Sequence, residues 1–163
     1  MSTTTENILF VLLDKWADWE FAYAAAAVNE FGAGRFVNVA VSTDLDPKKS
    51  IGGLNCLPDF DLDRAMTTDY AALILIGGMS WRGEHAKRVV PLVKRCVADG
   101  KPLGAICDAC RFLAGIGMLN NVKHTGNGMD ELTAAGENYS NQDGFLYKQA
   151  VRDNGVITAN GTA

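Results

Sequence analysis

The sequence predicts an α/β sandwich with a mostly parallel sheet. Short continuous apolar runs, such as ILFVLL over residues 8–13, are typical of strands that are buried on both faces. Along the chain these runs alternate with segments of helical character. Alternation of this kind is typical of parallel strands joined by helices that cover the sheet.

The predicted elements can be justified in chain order from their apolar runs and their breakers. The first helix, over 19–34, is rich in alanine and ends at two nearby glycines. The helix over 84–98 contains Pro91, which must lie near its start or kink it. Asn154 and Gly155 predict a tight turn between the last two strands. The predicted strands cover 8–13, 36–42, 71–78, 103–107, 146–153 and 156–160. The segment 52–60 is predicted to be irregular or a short strand, and a third helix is predicted over 109–119.

Composition limits the classes of protein to which the chain can belong. Its 163 residues suit one domain with a sizeable core, and 48% hydrophobic with 21% charged residues is typical of a globular protein. A net charge of -4 argues against nucleic acid or an anionic membrane surface as partner. Four cysteines without scaffold spacing, and no visible targeting signal, predict a cytoplasmic protein with reduced thiols.

The stretch LGAICDAC, residues 103–110, contains the two cysteines on which the function depends. Cys107 and Cys110 have the spacing of a redox pair, and their motif opens a helix after a strand. Asp108 between them argues against that function, because an acidic neighbour raises the pKa of a thiol. A metal site would need two further ligands, and no second pair occurs at ligand spacing, so no metal is expected. Free cysteines are often buried, which is the expectation for Cys110, Cys96 and Cys56.

Cys107 differs from the other cysteines because it directly follows a predicted strand and precedes a helix. Such a strand–turn–helix elbow exposes one side chain at the top of the sheet. The helix N-terminus beneath it favours a thiolate, which is the nucleophilic form. The N–H of Asp108 and a second N–H beside Gly77 and Gly78 would then form an oxyanion hole. Asp14 also falls at a strand end, and ligands bind at the carboxyl ends of parallel strands.

The segments AICDACRFLAGIGMLNNVKHTG, LILIGG and ADWE together resemble the ThiJ/PfpI family of the class I glutamine amidotransferase-like superfamily. The resemblance extends from Ile8 to Ala163. It implies a flavodoxin-like, three-layer α/β/α sandwich that forms a homodimer. Intracellular proteases or amidases, glyoxalases or deglycases, and stress chaperones belong to this family. Family members continue past the segment that matches ANGTA into a closing helix, so we expect residues 1–163 to form one domain that lacks it.

The resemblance also assigns roles to four positions. The elbow cysteine of the family matches Cys107, and its oxyanion-hole amides match Gly78 and Asp108. The acidic residue that contacts the thiol matches Glu20, where a protonated carboxyl could donate to a thiolate or act as a general acid. The alternative for Glu20 is an ordinary glutamate at a helix start, where it complements the helix dipole.

The chain departs from the family pattern at the position after the cysteine. Many members carry histidine there, whereas this chain has Asp108, so a general base is missing. His124, on the segment after the elbow helix, is a candidate acid or base, although the family's histidine position matches either His124 or Gly126. The alternative for His124 is a half-exposed strand residue. His85 is expected to be solvated.

These observations favour a cysteine-dependent, hydrolase-like enzyme in which Cys107 attacks a carbonyl carbon. The substrate would be a peptide or a small molecule, Glu20 would manage the thiol proton, and no cofactor is expected. A second hypothesis is a non-catalytic stress-response or redox-sensing protein in which Cys107 is oxidised to a sulfenic or sulfinic acid. A third is a C-x-x-C oxidoreductase, which depends on the geometry of Cys107 and Cys110.

Overall fold

The computed structural model describes residues 5–162, which contain nine strands and five α-helices. The strands are β1 (Glu6–Val11), β2 (Phe36–Ser42), β3 (Lys48–Lys49), β4 (Asn55–Cys56), β5 (Phe60–Asp61), β6 (Ala72–Leu75), β7 (Leu103–Ile106), β8 (Ala150–Asp153) and β9 (Val156–Ala159). The helices are α1 (Asp18–Phe31), α2 (Leu62–Thr67), α3 (Val90–Ala98), α4 (Asp108–Gly115) and α5 (Met129–Thr133). No helix in the described range is long and apolar enough to cross a membrane.

Seven of these strands form one sheet in the order β5-β2-β1-β6-β7-β9-β8. Every neighbouring pair is parallel except β8 and β9, which form an antiparallel hairpin. The hairpin turns at Asn154 and Gly155, whose φ angles of 45° and 79° suit a tight turn between strands. The mostly parallel sheet and this turn confirm the sequence-based prediction.

Helices cover both faces of the sheet. Successive residues of the central strands point to opposite sides, so each face has its own apolar cluster for the helices to cover. Ile8 and Phe10 of β1 belong to a cluster against which α1 packs with Phe21 and Val28. The larger cluster lies on the other face and includes Leu9 of β1. Its members in the α-helices are Leu62 and Ala65 of α2, Leu92, Val93 and Cys96 of α3, Ala109, Cys110, Phe112, Leu113 and Ala114 of α4, and Leu132 of α5. The three-layer, flavodoxin-like sandwich is therefore confirmed.

The boundaries differ from the prediction mainly at short or irregular elements. The segment 84–98 is a 3₁₀ helix over Glu84–Val89 followed by α3, with Pro91 in its first turn. Proline has no N–H and its ring obstructs the preceding turn, so the α-helix begins here and not at residue 84. The strand predicted over 146–153 is only four residues long. The pair β3 and β4, together with β5, α2 and α5, consists of elements of two to six residues that leave little periodic signal.

Candidate active site

Cys107 occupies a sharp elbow between β7 and α4, as the sequence predicts. Its φ of 59° and ψ of -126° are unusual for a residue other than glycine, and such strain is often found at functional sites. The elbow is held on both sides by backbone hydrogen bonds. The N–H of Cys107 donates to the carbonyl of Ala159 at 3.0 Å, and the N–H of Cys110 donates to the carbonyl of Cys107 at 3.0 Å. The thiol is partly exposed.

Cys110 is directed away from Cys107 and into the core. It is fully buried, and its sulfur lies 3.2 Å from the carbonyl oxygen of Ala105 and 3.4 Å from that of Ala159. Burial raises the pKa of this thiol far above its ordinary value. Both cysteines are free. The geometry therefore suits one accessible thiol and one core cysteine, and it does not suit a redox pair.

A chain of hydrogen bonds fixes the position of the Cys107 sulfur. The side-chain nitrogen of Asn127 donates to this sulfur at 3.1 Å, and the Asn127 oxygen accepts from the N–H of Gly161 at 3.0 Å. The carbonyl of Gly161 in turn accepts from the indole N–H of Trp19 at 2.8 Å. A Cβ atom on residue 161 would lie 3.1 Å from the sulfur, so this backbone approaches the thiol closely.

Glu20 lies in the first turn of α1 with its carboxyl group buried beside Cys107. The Oε2 atom of Glu20 accepts a hydrogen bond of 2.7 Å from the N–H of Gly77. A Cβ atom on Gly77 would lie 2.5 Å from this oxygen and 2.6 Å from the Cβ atom of Cys107. The absence of a side chain at residue 77 thus lets the carboxyl group and the cysteine meet. The Oε1 atom is buried without a hydrogen-bond partner among residues 5–162.

The electrostatics of the site favour retention of a proton near neutral pH. Burial raises the pKa of Glu20 to about 7, although the Gly77 N–H and the Cys107 thiol oppose this rise. Burial also raises the pKa of Cys107, and the negative charge of Glu20 adds to the effect. Asn127 and the Asp108 N–H act in the opposite direction on the Cys107 pKa. The first N–H of α4 thus favours the thiolate, as expected, but burial outweighs it and the net effect raises the Cys107 pKa.

The two amides expected to form an oxyanion hole flank this pair. The N–H of Gly77 is occupied by Glu20, whereas the N–H of Gly78 has no hydrogen-bond acceptor within the described part of the chain. Gly78 has a φ of 148°, and a Cβ atom there would lie 2.4 Å from the carbonyl oxygen of Lys15. The second amide, that of Asp108, is the first of α4 and adjoins the Cys107 sulfur. The carboxylate of Asp108 is mostly buried and paired with Arg82.

The structure does not bring the two histidines or Asp14 to Cys107. His124 is fully buried, with its ring nitrogens 2.8 Å from the Val122 carbonyl oxygen and 2.8 Å from the Tyr139 hydroxyl. His124 is therefore not the half-exposed strand residue considered from the sequence, and its ring nitrogens contact Val122 and Tyr139, not the Cys107 thiol. Burial lowers the pKa of His124. His85 is exposed, as expected. Asp14 is also exposed and accepts a hydrogen bond from the backbone of Lys49.

Sequence reasoning missed Asn127, Gly161 and Arg82. Asn127 lies three residues after His124, in a glycine-flanked loop that follows the elbow helix. The family resemblance places a further site residue on this segment, but a loop without periodicity gives no signal for which side chain points inward. Among the described residues, no group of three or more histidine, cysteine or acidic side chains is placed to hold a metal ion.

Comparisons with known proteins show the family and the fold of the chain. A family model described as the DJ-1/PfpI family matches residues 6–163. The chain is 39% identical over 159 residues to "Uncharacterized protease YdeA" of Bacillus subtilis (strain 168), and the match covers 97% of this chain and 77% of the relative.

Two solved structures are similar over nearly the whole chain. One is the DJ-1 superfamily protein Atu0886 from Agrobacterium tumefaciens, with 35% identity and a TM-score of 0.88, covering 98% of this chain and 84% of that one. The other is a thiJ/pfpI family protein from Bacillus anthracis, with 27% identity and a TM-score of 0.90, covering 100% of this chain and 79% of that one.

Proposed function

Because this chain belongs to the DJ-1/PfpI family, we propose that it is a cysteine-dependent hydrolase of the protease or amidase type, with Cys107 as its nucleophile. The observation that carries the proposal is the strained elbow at Cys107, whose partly exposed sulfur accepts a hydrogen bond from Asn127 and lies beside the buried carboxyl group of Glu20. The name of the Bacillus subtilis relative, an uncharacterized protease, agrees with this reaction type.

The first half of the proposed reaction forms a thioester. The ionised carboxylate of Glu20 accepts the thiol proton, and the sulfur attacks the substrate carbonyl carbon. A C–S bond forms while the carbonyl π electrons move to oxygen, and the N–H groups of Gly78 and Asp108 donate to this oxyanion. The oxyanion then returns its electron pair, the C–N bond breaks, and Glu20 gives its proton to the departing amine.

The second half of the reaction releases the acid. The carboxylate of Glu20 accepts a proton from water, whose oxygen attacks the thioester carbon. The C–S bond then breaks, and the proton on Glu20 returns to the sulfur, which regenerates the thiol. A carboxyl group with a pKa of about 7 suits this exchange, because acid–base catalysts work best when their pKa lies near the working pH.

A panel of substrates tests the proposal. Purified protein is assayed on amino-acid anilides, dipeptides and methylglyoxal, so that amidase, peptidase and glyoxalase activities are compared directly. We expect Cys107→Ser to lower turnover at least about 100-fold, since removal of a covalent nucleophile abolishes the thioester route. Cys56→Ser, at a cysteine in the short strand β4 and not at the elbow, is the matched control. Turnover in Cys107→Ser equal to that of Cys56→Ser would remove Cys107 from the mechanism.

A redox-sensing function is the second candidate, and the surroundings of the sulfur favour it. The side-chain nitrogen of Asn127 and the backbone N–H of Asp108 both face the sulfur and could donate to the oxygens of a sulfinic acid. Peroxide titration followed by intact mass measurement tests this function. It predicts addition of one or two oxygen atoms at Cys107 and none at Cys110, which is buried.

The setting in which the protein works is also proposed. A peptide or small molecule is the substrate, the cytoplasm is the location, and a homodimer is the assembly implied by the family. The free cysteines support the proposed location, since a nucleophilic thiol must remain reduced to act. Sedimentation of the purified protein tests the dimer.

A further inference from the structure

We infer that Arg82 is a positioning residue for the Cys107 site. It neutralises the carboxylate of Asp108 beside the nucleophile, and it ties together the two backbone segments that carry the Gly78 and Asp108 amides. The second part rests on the proposed function, in which those amides bind an oxyanion. The first part concerns only the thiol of Cys107 and can be tested without a substrate.

The contact between Arg82 and Asp108 is bidentate. Nε of Arg82 donates to Oδ2 of Asp108 at 2.7 Å, and Nη2 donates to Oδ1 at 3.0 Å. Two parallel hydrogen bonds between a guanidinium and a carboxylate fix the orientation of both groups, which a lysine could not do. The carboxylate is mostly buried, with a side-chain exposure of 11%, whereas the arginine side chain is 51% exposed. Arg82 therefore covers the carboxylate from the solvent side.

The pair joins the two segments that border the reactive sulfur. Arg82 is the last residue of the 3₁₀ helix Met79–Arg82, which begins directly after Gly78. Asp108 is the first residue of α4 and follows Cys107. A third segment is attached as well, because Nη2 of Arg82 also donates to Oε2 of Glu131 in α5 at 3.0 Å. Both carboxylates raise the pKa of Arg82, which remains a cation.

The charges around Cys107 give the positive charge of Arg82 its effect on the thiol. Two carboxyl groups face the thiol, Glu20 from α1 and Asp108 from α4, and the negative charge of each raises the Cys107 pKa. The groups that oppose them are uncharged, namely the Asn127 amide and the Asp108 N–H. Arg82 compensates the Asp108 charge and leaves Glu20 as the proton partner. Within this ion pair, Asp108 occupies the position after the cysteine where many members of the family carry a histidine.

The test compares Cys107 alkylation across pH in single and double variants. Arg82→Gln leaves the Asp108 carboxylate uncompensated, so we expect the apparent Cys107 pKa to rise and alkylation at pH 7 to fall about three- to tenfold. Adding Asp108→Asn to Arg82→Gln removes the uncompensated charge and should restore the wild-type rate. Asp108→Asn alone should lower the apparent pKa. Lys87→Gln, at an exposed lysine paired with Glu84, is the matched control and should leave the Cys107 alkylation profile unchanged.

The outcomes separate this inference from the proposed function. Overlapping alkylation profiles for wild type and Arg82→Gln would overturn the inference. A double variant whose Cys107 alkylation rate stays below that of wild type would also overturn it. If Arg82→Gln does not fold, Asp108→Asn tests the inference instead. An apparent Cys107 pKa that is not lowered in Asp108→Asn also overturns the inference. A shifted alkylation profile in a protein that hydrolyses no substrate would reject the hydrolase, and with it the oxyanion part of the inference, while the effect of Arg82 on the Cys107 thiol stands. Hydrolysis of an anilide together with unshifted profiles would reject only the role of Arg82.

Discussion

The side-chain nitrogen of Asn127 lies 3.1 Å from the sulfur of Cys107 and donates a hydrogen bond to it. The oxygen of the same amide accepts from the backbone N–H of Gly161, which fixes which end of the amide faces the sulfur. A hydrogen bond of this polarity stabilises a thiolate more than a thiol, and it accordingly lowers the Cys107 pKa. Asn127 is therefore the residue through which the loop after α4 acts on the nucleophile.

Removal of this donor should make Cys107 less reactive. We expect Asn127→Ala to raise the apparent pKa of Cys107 and to slow its alkylation at pH 7 about three- to tenfold. Asn127→Asp should slow it further, because a carboxylate replaces a donor. The measurement is the rate of iodoacetamide alkylation between pH 5 and 10. Asn120→Ala, which removes a half-buried amide bonded to the Asn138 carbonyl and the Ser140 N–H, is the control, and an equal effect on Cys107 alkylation would contradict the assignment.

Cys107 should be the most reactive of the four thiols. Cys96 and Cys110 are fully buried, and burial raises the pKa of both. Cys56 is partly buried, and its pKa is raised by burial and by Asp59 without an opposing donor. Limited iodoacetamide labelling followed by peptide mapping should thus find the label first on Cys107. Preferential labelling of Cys56 or Cys96 would show that the elbow does not activate its cysteine.

The parts of the site that follow from local sequence could be predicted, and the parts that depend on long-range packing could not. The elbow at Cys107 follows from an apolar strand that ends directly before a helix, so its position is readable from a few neighbouring residues. The buried sheet and its parallel order likewise follow from alternating apolar runs. Glu20 is assigned only through the family resemblance, because one glutamate at a helix start looks ordinary.

Asn127, Gly161 and Arg82 reach the site from three segments without regular secondary-structure patterns around them. Their contacts depend on how loops fold over the edge of the sheet, which no local periodicity encodes. The net direction of the Cys107 pKa could not be predicted for a related reason. A helix N-terminus can be read from sequence, but the burial that opposes it depends on the packing of Glu20 and the neighbouring backbone.

Gly77 should tolerate no larger residue, because the Glu20 carboxyl and Cys107 meet at its α-carbon. A Cβ atom there would lie 2.7 Å from the carbonyl oxygen of Ile106 as well as within 2.6 Å of both side chains. We expect Gly77→Ala to lower the free energy of unfolding by about 1–3 kcal/mol, since relief requires the backbone to move. Chemical denaturation measures this change. Gly104→Ala is the control, because its nearest neighbours are side-chain atoms of Ile74 at 3.4 Å and beyond, and an equal loss there would contradict the steric argument.

Glu20 should make the free energy of unfolding depend on pH. Its pKa is about 7 in the folded protein and near the ordinary value of 4.5 when unfolded, so the folded state binds the proton more tightly. The resulting stabilisation is fully present below pH 4.5 and is lost as the pH rises through about 7. Over this window wild type should lose up to about 3 kcal/mol relative to Glu20→Gln. Denaturation at several pH values measures the difference, and a constant difference would show that Glu20 does not titrate in this range.

Substitutions of Glu20 should also change the reactivity of the Cys107 thiol. Glu20→Gln removes a negative charge beside the sulfur, so its alkylation profile should shift to lower pH than that of wild type. Glu20→Asp withdraws the carboxyl by one methylene and should weaken both the contact with Cys107 and oxidation to the sulfinic acid. Overlapping profiles for all three proteins would restore the alternative in which Glu20 is an ordinary residue of the helix start.

Trapping of the thioester tests the central claim most directly. Wild-type protein is mixed with an activated anilide, quenched in acid, and analysed by intact mass measurement and peptide mapping. The proposed mechanism predicts a burst of free amine together with an acyl group attached to Cys107, and neither in Cys107→Ala. An acyl group on any other residue, or anilide hydrolysis that persists in Cys107→Ala, would contradict Cys107 as the nucleophile.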